Sequence, residues 1–184
     1  MKRPILGADD GASGVAVLLE IAKLMKSVQP PIGIDILLDD GEDYGKRSDL
    51  SKYSLGTRYF VKAKSPGYSP RFGVLLDMIG NRDVHLPMEQ NSMKYAPAAV
   101  ELIWSAAEEL GVTQFVNVPG EEIFDDHIPL NEGGIPTVDI IDFDYPYWHT
   151  LDDTPDKCSA ESLGAVGRVL TFVIYTKLSP RQQH

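Results

Sequence analysis

The sequence predicts an α/β fold, a three-layer sandwich around a mostly parallel central sheet. Two observations carry this. Short apolar runs of strand length alternate with longer runs of helical period. The apolar runs also lead directly into carboxylates, as when Ile32 to Leu38 is followed by Asp39, Asp40, Glu42 and Asp43. In open α/β sheets, ligands and reacting groups gather at the carboxyl ends of strands.

Each element follows from its own pattern. Asp9-Asp10-Gly11 leads into a helix of about Ala12 to Val28. Val15, Leu18, Leu19, Ala22 and Met25 share one face, and Val17, Ile21 and Leu24 make a second, so the helix is expected to be largely buried. Pro30 and Pro31 end it. Ile32 to Leu38 is expected to return as a buried strand. Such a helix and strand each span about 26 Å, which brings Asp10 back to the Glu42-Asp43 loop. Tyr53 to Lys64 reads as a second helix. Phe72 to Leu76 reads as a buried strand that delivers Asp77. Arg82 to Tyr95 is polar and poorly patterned, so a surface loop is expected there. Pro97 to Leu110 is a helix with proline in its first turn and Gly111 after its end. Gln114 to Val118 is a short strand, Glu121 to His127 an acidic loop, and Thr137 to Ile141 another strand. The last helix runs from about Ser159 to Leu178, with Leu163, Val166, Leu170, Val173 and Ile174 inward.

The chain has 184 residues, 43% of them hydrophobic, which suffices for one core. A single domain over 1–184 is expected, short at its N-terminus, with 179–184 as a disordered tail. The formal net charge of −10 argues against nucleic acid and anionic membrane as partners. The single cysteine, Cys158, excludes an intrachain disulfide and a cysteine-rich zinc site. No stretch is long and apolar enough to span a bilayer, and the N-terminus lacks the apolar core of a signal peptide. The compartment is therefore open: periplasmic or secreted if the true N-terminus is missing, cytoplasmic otherwise. Only a few residues precede the first acidic loop, which raises the expectation that upstream strands are missing. Their absence would leave a sheet edge that another chain could cover, so a homo-oligomer is compatible with the sequence.

Acid and imidazole side chains recur where strands end or helices start: Asp10, Glu42-Asp43, Asp77, Asp125-Asp126-His127 and His149. Singly each has an ordinary explanation. Asp10 suits a helix N-cap, Asp39, Asp40 and Asp152 suit solvated surface, and His85 and His127 suit structural or exposed positions. Together, two carboxylates and one imidazole make a three-ligand zinc site with an open position. A glutamate beside a ligand can serve as proton shuttle. Clustered carboxylates repel, and a divalent ion relieves that repulsion.

The segments GADDGASGVAVLLEIA (7–22), GEDYG (41–45), LLDMIG (75–80), DDHIPLNEGGIP (125–136) and WHTLDD (148–153) occur in the order found in the zinc-dependent exopeptidase and glutaminyl cyclase superfamily, which the chain resembles from about Gly7 to Tyr175. The resemblance implies that superfamily's sandwich fold and one zinc per chain. It implies Asp10, Asp43 and His149 as ligands, although Glu is more usual at the second position. It further implies Glu42 as general acid/base, with Asp125 and Asp77 as orienting acids. Trp148 and Tyr145 would wall the substrate pocket. The dizinc peptidases take a further histidine upstream of the GA-x-D motif, and none stands there in this chain. Asp125-Asp126-His127 and Trp148-His149-Thr150 resemble the bacterial cyclase branch. Ser48 and Asp139 depart from the animal cyclases, which carry tryptophan and histidine there.

Three functions are thereby implied. The first is a glutaminyl-peptide cyclotransferase that converts N-terminal Gln of peptides to pyroglutamate with release of ammonia. The second is a zinc aminopeptidase. The third is a catalytically silent metal- or peptide-binding fragment. In the first two the partner is a peptide with a free N-terminus.

Overall fold

The computed structural model describes residues 3–45 and 49–178. Ser48 and the expected tail, 179–184, lie outside the described residues. Helix α1 spans Ala12–Ser27 and α2 Leu55–Ala63, preceded by a 3-10 turn at Leu50–Lys52. Strand β1 follows at Gly73–Asp77, then β2 at Leu86–Met88 and helix α3 at Gln90–Tyr95. Helix α4 covers Pro97–Glu109, β3 Phe115–Pro119, α5 His127–Glu132 and β4 Thr137–Ile141. After a 3-10 turn at Pro155–Lys157, α6 runs over Ala160–Phe172 and ends in a π-helical turn, Val173–Lys177.

Both strand pairs are parallel. β1 lies beside β4 in the register Leu75 to Asp139 and Asp77 to Ile141, and β2 pairs with β3 across an irregularity. Parallel strands need helical crossovers, which is why helices and strands interleave along the chain. α6 packs against both α1 and α4, α2 packs against α5, and α3 touches α4 and α5. β1 touches α1 and α5. The main core joins α1, α4 and α6 to the strands, with Ile79, Leu86, Ile103, Val138, Ile140, Val166 and Val169 fully buried. Gly14, in the first turn of α1, sits so close to the end of β1 that a methyl group there would collide with the Leu76 carbonyl. That close approach brings the acidic loop before α1 to the carboxyl end of β1. No described helix is long and apolar enough to cross a membrane.

Three expectations are corrected. Residues 33–40 belong to no strand, and Ile36, Leu37 and Leu38 are 40, 39 and 63% exposed. Alternation marks an extended chain, but a strand also needs a neighbour, and the described residues supply none. Helix α1 is not largely buried: Val17 and Ile21 face the core, while Val15, Leu19 and Leu24 are exposed. Arg82 to Tyr95 is not a surface loop. It holds β2 and α3, with Leu86, Glu89 and Ser92 buried. Glu89, Asn91 and Ser92 bond inside the protein, which hides the element from a hydrophobicity pattern.

Candidate active site

The acidic loop at 40–43 is shaped by its main chain. The amides of Ser54, Leu55 and Gly56 donate to the carbonyls of Glu42, Gly41 and Asp40 at 2.8, 3.2 and 2.9 Å. The first N–H groups of a helix have no partner of their own. The start of α2 therefore uses the loop's carbonyls, and the loop's carboxylates stay free.

Asp10, Asp43 and His149 meet. His149 Nε2 lies 2.7 Å from Asp43 Oδ2 and 3.6 Å from Asp10 Oδ2. Asp10 is not a helix cap, since Gly11 holds that position and no side chain bonds there. Its carboxyl is pushed up by burial, against which the His149 charge pulls it down. His149 rests against the Trp148 ring at 4.4 Å between centroids, and Trp148 packs on Phe143 at 5.6 Å. The His149 backbone is left-handed, φ 58°, which costs a non-glycine residue about 1 kcal/mol or more.

Behind these three stands Asp153, fully buried. Its Oδ1 accepts from the Asp9 amide at 2.9 Å and the Tyr145 hydroxyl at 2.8 Å, and its Oδ2 accepts from the Asp10 amide at 3.2 Å. Asp9, also buried, accepts from the Gly80 amide at 2.6 Å, which ties the loop to the end of β1. Tyr145 is thus a strut and not a pocket wall. Its side chain is 0% exposed, and its hydroxyl is committed to Asp153. Trp148, half-buried, packs with Tyr147 against a small cluster of Met78, Ile123, Ile141 and Tyr145. Asp153 was legible only as the last letter of WHTLDD, since nothing in the sequence tells a buried acceptor from the exposed Asp152 beside it.

On the other side of Glu42 lies a group of acids. Carboxylate oxygens of Glu42, Asp125 and Asp126 fall within 4.8 Å of one another. Burial, reinforced by the charges of Asp125 and Asp43, pushes Glu42 up to about 9. Asp125 is buried and raised to about 6, with the bond from the Asp126 amide and the His127 charge limiting the rise. Asp77 is raised well above the ordinary range by burial and by the Asp125 charge. Asp139, on the same side of the β1–β4 ladder as Asp77 by register, is raised by burial and then by Asp125. Carboxyls so close in a buried space cannot all ionise, so they share protons.

The two sides suit different tasks. Asp10, Asp43 and His149 present nitrogen and oxygen donors, and among the described residues no lysine or arginine pairs with either carboxylate. By donor type that set suits a zinc ion, and the Glu42, Asp125 and Asp126 carboxylates form a second group close enough to share a cation. The Glu42, Asp77, Asp125 and Asp139 group fits proton storage and transfer.

The profile of peptidase family M28 matches residues 2–174. The chain is 28% identical to aminopeptidase YwaD of Bacillus subtilis, over 92% of its own length and 37% of that protein. It is 26% identical to the glutaminyl-peptide cyclotransferase of Bos taurus, over 94% of its own length and 56% of that protein. Among solved structures, the glutaminyl cyclase of Bacteroides thetaiotaomicron bound to N-acetylhistamine superposes with a TM-score of 0.90 at 40% identity, over 94% of this chain and 64% of that one. A Zn-dependent exopeptidase from Parabacteroides distasonis gives the same values. The overall architecture is therefore that of the zinc exopeptidases and glutaminyl cyclases, and the chain spans less than two thirds of the length of these relatives.

Proposed function

Since the chain belongs to peptidase family M28, we propose that it forms a single domain acting as a zinc-dependent glutaminyl-peptide cyclotransferase on peptides with a free N-terminal Gln. The observation that carries this reading is the position of Glu42. It adjoins Asp43 in the chain, is close enough to Asp43 and Asp10 to feel their charges, and has a carboxylate oxygen within 4.8 Å of Asp125 and Asp126. Asp77 supports the same reading, because it is buried and raised by the Asp125 charge and so belongs to the proton-sharing group.

Asp10, Asp43 and His149 would hold the zinc, and a zinc ion there supplies a Lewis acid toward the γ-amide carbonyl of the substrate. Glu42 takes a proton from the substrate's α-amine as that nitrogen bonds to the carbonyl carbon of the side-chain amide, Cδ. It returns the proton to the departing amide nitrogen, which leaves as ammonia. The reaction consumes no water, and the net proton count on Glu42 is unchanged. Asp125 and Asp77 hold Glu42 in place and balance its charge during the transfer. Trp148 supplies an apolar surface next to His149.

The second reading, an aminopeptidase, is favoured by the 28% identity to YwaD. A pair of assays separates the two. Incubation with a Gln-initiated peptide is expected to release ammonia with ring closure, and a Leu-initiated peptide is expected to stay intact. Free leucine would support the peptidase instead. Zinc binding with neither product would indicate a silent fragment.

A further inference from the structure

We propose that Glu89 and His127 together are positioning residues for Asp125, holding from behind the acid that faces Glu42; this deepens the cyclase reading and rests on it. Glu89 is the N-cap of α3 and is 1% exposed. An ordinary N-cap bonds to the first turn of its own helix and stops there. Glu89 does this, with Oε1 accepting from the Asn91 amide at 2.8 Å and Oε2 from the Ser92 hydroxyl at 2.7 Å. It also reaches far along the chain. Its Oε1 accepts from the Ile123 amide at 2.9 Å, and its Oε2 lies 3.3 Å from His127 Nε2.

Asp125 lies midway between these two remote partners, two residues from each. The grip on Ile123 is double, because the Asn91 side-chain amide donates to the Ile123 carbonyl at 2.9 Å. His127 is fully buried between Glu89 and Asp139, with Nδ1 3.4 Å from Asp139 Oδ2, although neither ring nitrogen makes a hydrogen bond among the described residues. Ser92 closes the circuit: its hydroxyl accepts from the Asp139 amide at 2.9 Å while donating to Glu89. Glu89 thus ties α3 to the loop before α5 by hydrogen bonds, Ser92 extends the tie to β4, and His127 at the start of α5 packs against the same carboxylate, which makes a frame around Asp125.

A buried carboxylate is costly unless its lone pairs are filled, and here several donors fill them. Burial alone would raise Glu89, but the His127 contact and the N–H groups of Ile123, Asn91 and Ser92 outweigh it and hold the acid at about 2. Displacement of a reacting group by about 1 Å can cost about 100-fold in rate. A frame of this kind is what keeps such displacement small.

The test is Glu89→Gln, which keeps the shape but turns one acceptor oxygen into a donor. The expected result is a fall in kcat on a Gln-initiated peptide of about 10- to 100-fold. KM should stay within about threefold and zinc stoichiometry should not change, with amide hydrogen exchange accelerated over 121–127 but not in α6. Ser92→Ala, which removes one link and leaves the carboxylate, should show the same pattern at a few-fold. An unchanged kcat in both variants overturns the proposal, as does a loss of zinc together with kcat. Should Glu89→Gln not fold, Ser92→Ala and His127→Gln decide the matter by the same criteria. If the wild-type protein releases no ammonia, the cyclase reading fails, and the exchange pattern alone then decides whether the frame positions Asp125.

Discussion

The groups on the two sides of Glu42 differ in their surroundings. Toward the surface, the Asp43 and His149 side chains are 45 and 44% exposed, while Asp10 beside them is 13% exposed and is itself raised by burial. Toward the core, Asp125 and Asp139 are buried and their pKa values are pushed up. The open side is organised from behind by Asp153, through the backbone amides of Asp9 and Asp10. The closed side is organised by Glu89 and His127. Exposed carboxylates keep their charge cheaply in water and so remain available to a cation, whereas buried ones hold protons because their charged forms are poorly solvated. Glu42 sits where the two regimes meet, which is where a proton carrier between bound substrate and a proton reserve belongs.

The sharpest way to break this contrast is at the junction. Glu42→Gln should lower turnover by about 10³-fold while leaving zinc content unchanged, read by steady-state kinetics and metal analysis on the same sample. Surviving activity would remove Glu42 from the proton path. On the open side, Asp153→Ala should weaken zinc binding by about 10- to 100-fold, in line with other residues that orient ligands, measured by chelator competition. An unchanged affinity would mean that Asp9 and Asp10 hold their places without it.

The smallest effect concerns the closed side in metal-free protein. Glu42 is raised from 4.5 to about 9 and Asp125 from 3.8 to about 6. Between the unfolded and folded values the native state binds more protons than the unfolded chain, so stability falls as pH rises. The penalty is absent below about pH 4 and complete above about 9. Thermal melts of metal-free protein should therefore drop by a few degrees from pH 5 to pH 9. Glu42→Gln should flatten the part above about pH 6, and a wild-type melt that does not change with pH would contradict these acidities.

Much of this arrangement could be read along the chain. Helix α1 was expected at Ala12 to Val28 and runs over Ala12–Ser27, because a long periodic segment ended by Pro30 and Pro31 has few alternatives. β4 was expected at its observed limits, Thr137–Ile141, since an apolar run after Gly133-Gly134 leaves little ambiguity. The α3 region was missed for a definite reason. Glu89, Asn91 and Ser92 look solvated in sequence, and only their bonds to Ile123, His127 and Asp139 make them interior residues. Tyr145 was misjudged in the same way, as its aromatic neighbours say nothing about whether its hydroxyl meets a substrate or Asp153.

The sequence by itself determined which residue types reach the strand ends and helix starts, and in what order, because local periodicity and turn chemistry settle where elements begin and stop. It also determined the family, through five motifs in order. Only the tertiary structure decided which acids face water and which are sealed from it, because burial and acidity depend on neighbours far away in the chain. Asp152 and Asp153 are adjacent in sequence, yet one is solvated and the other holds the Asp9-Asp10 loop in place.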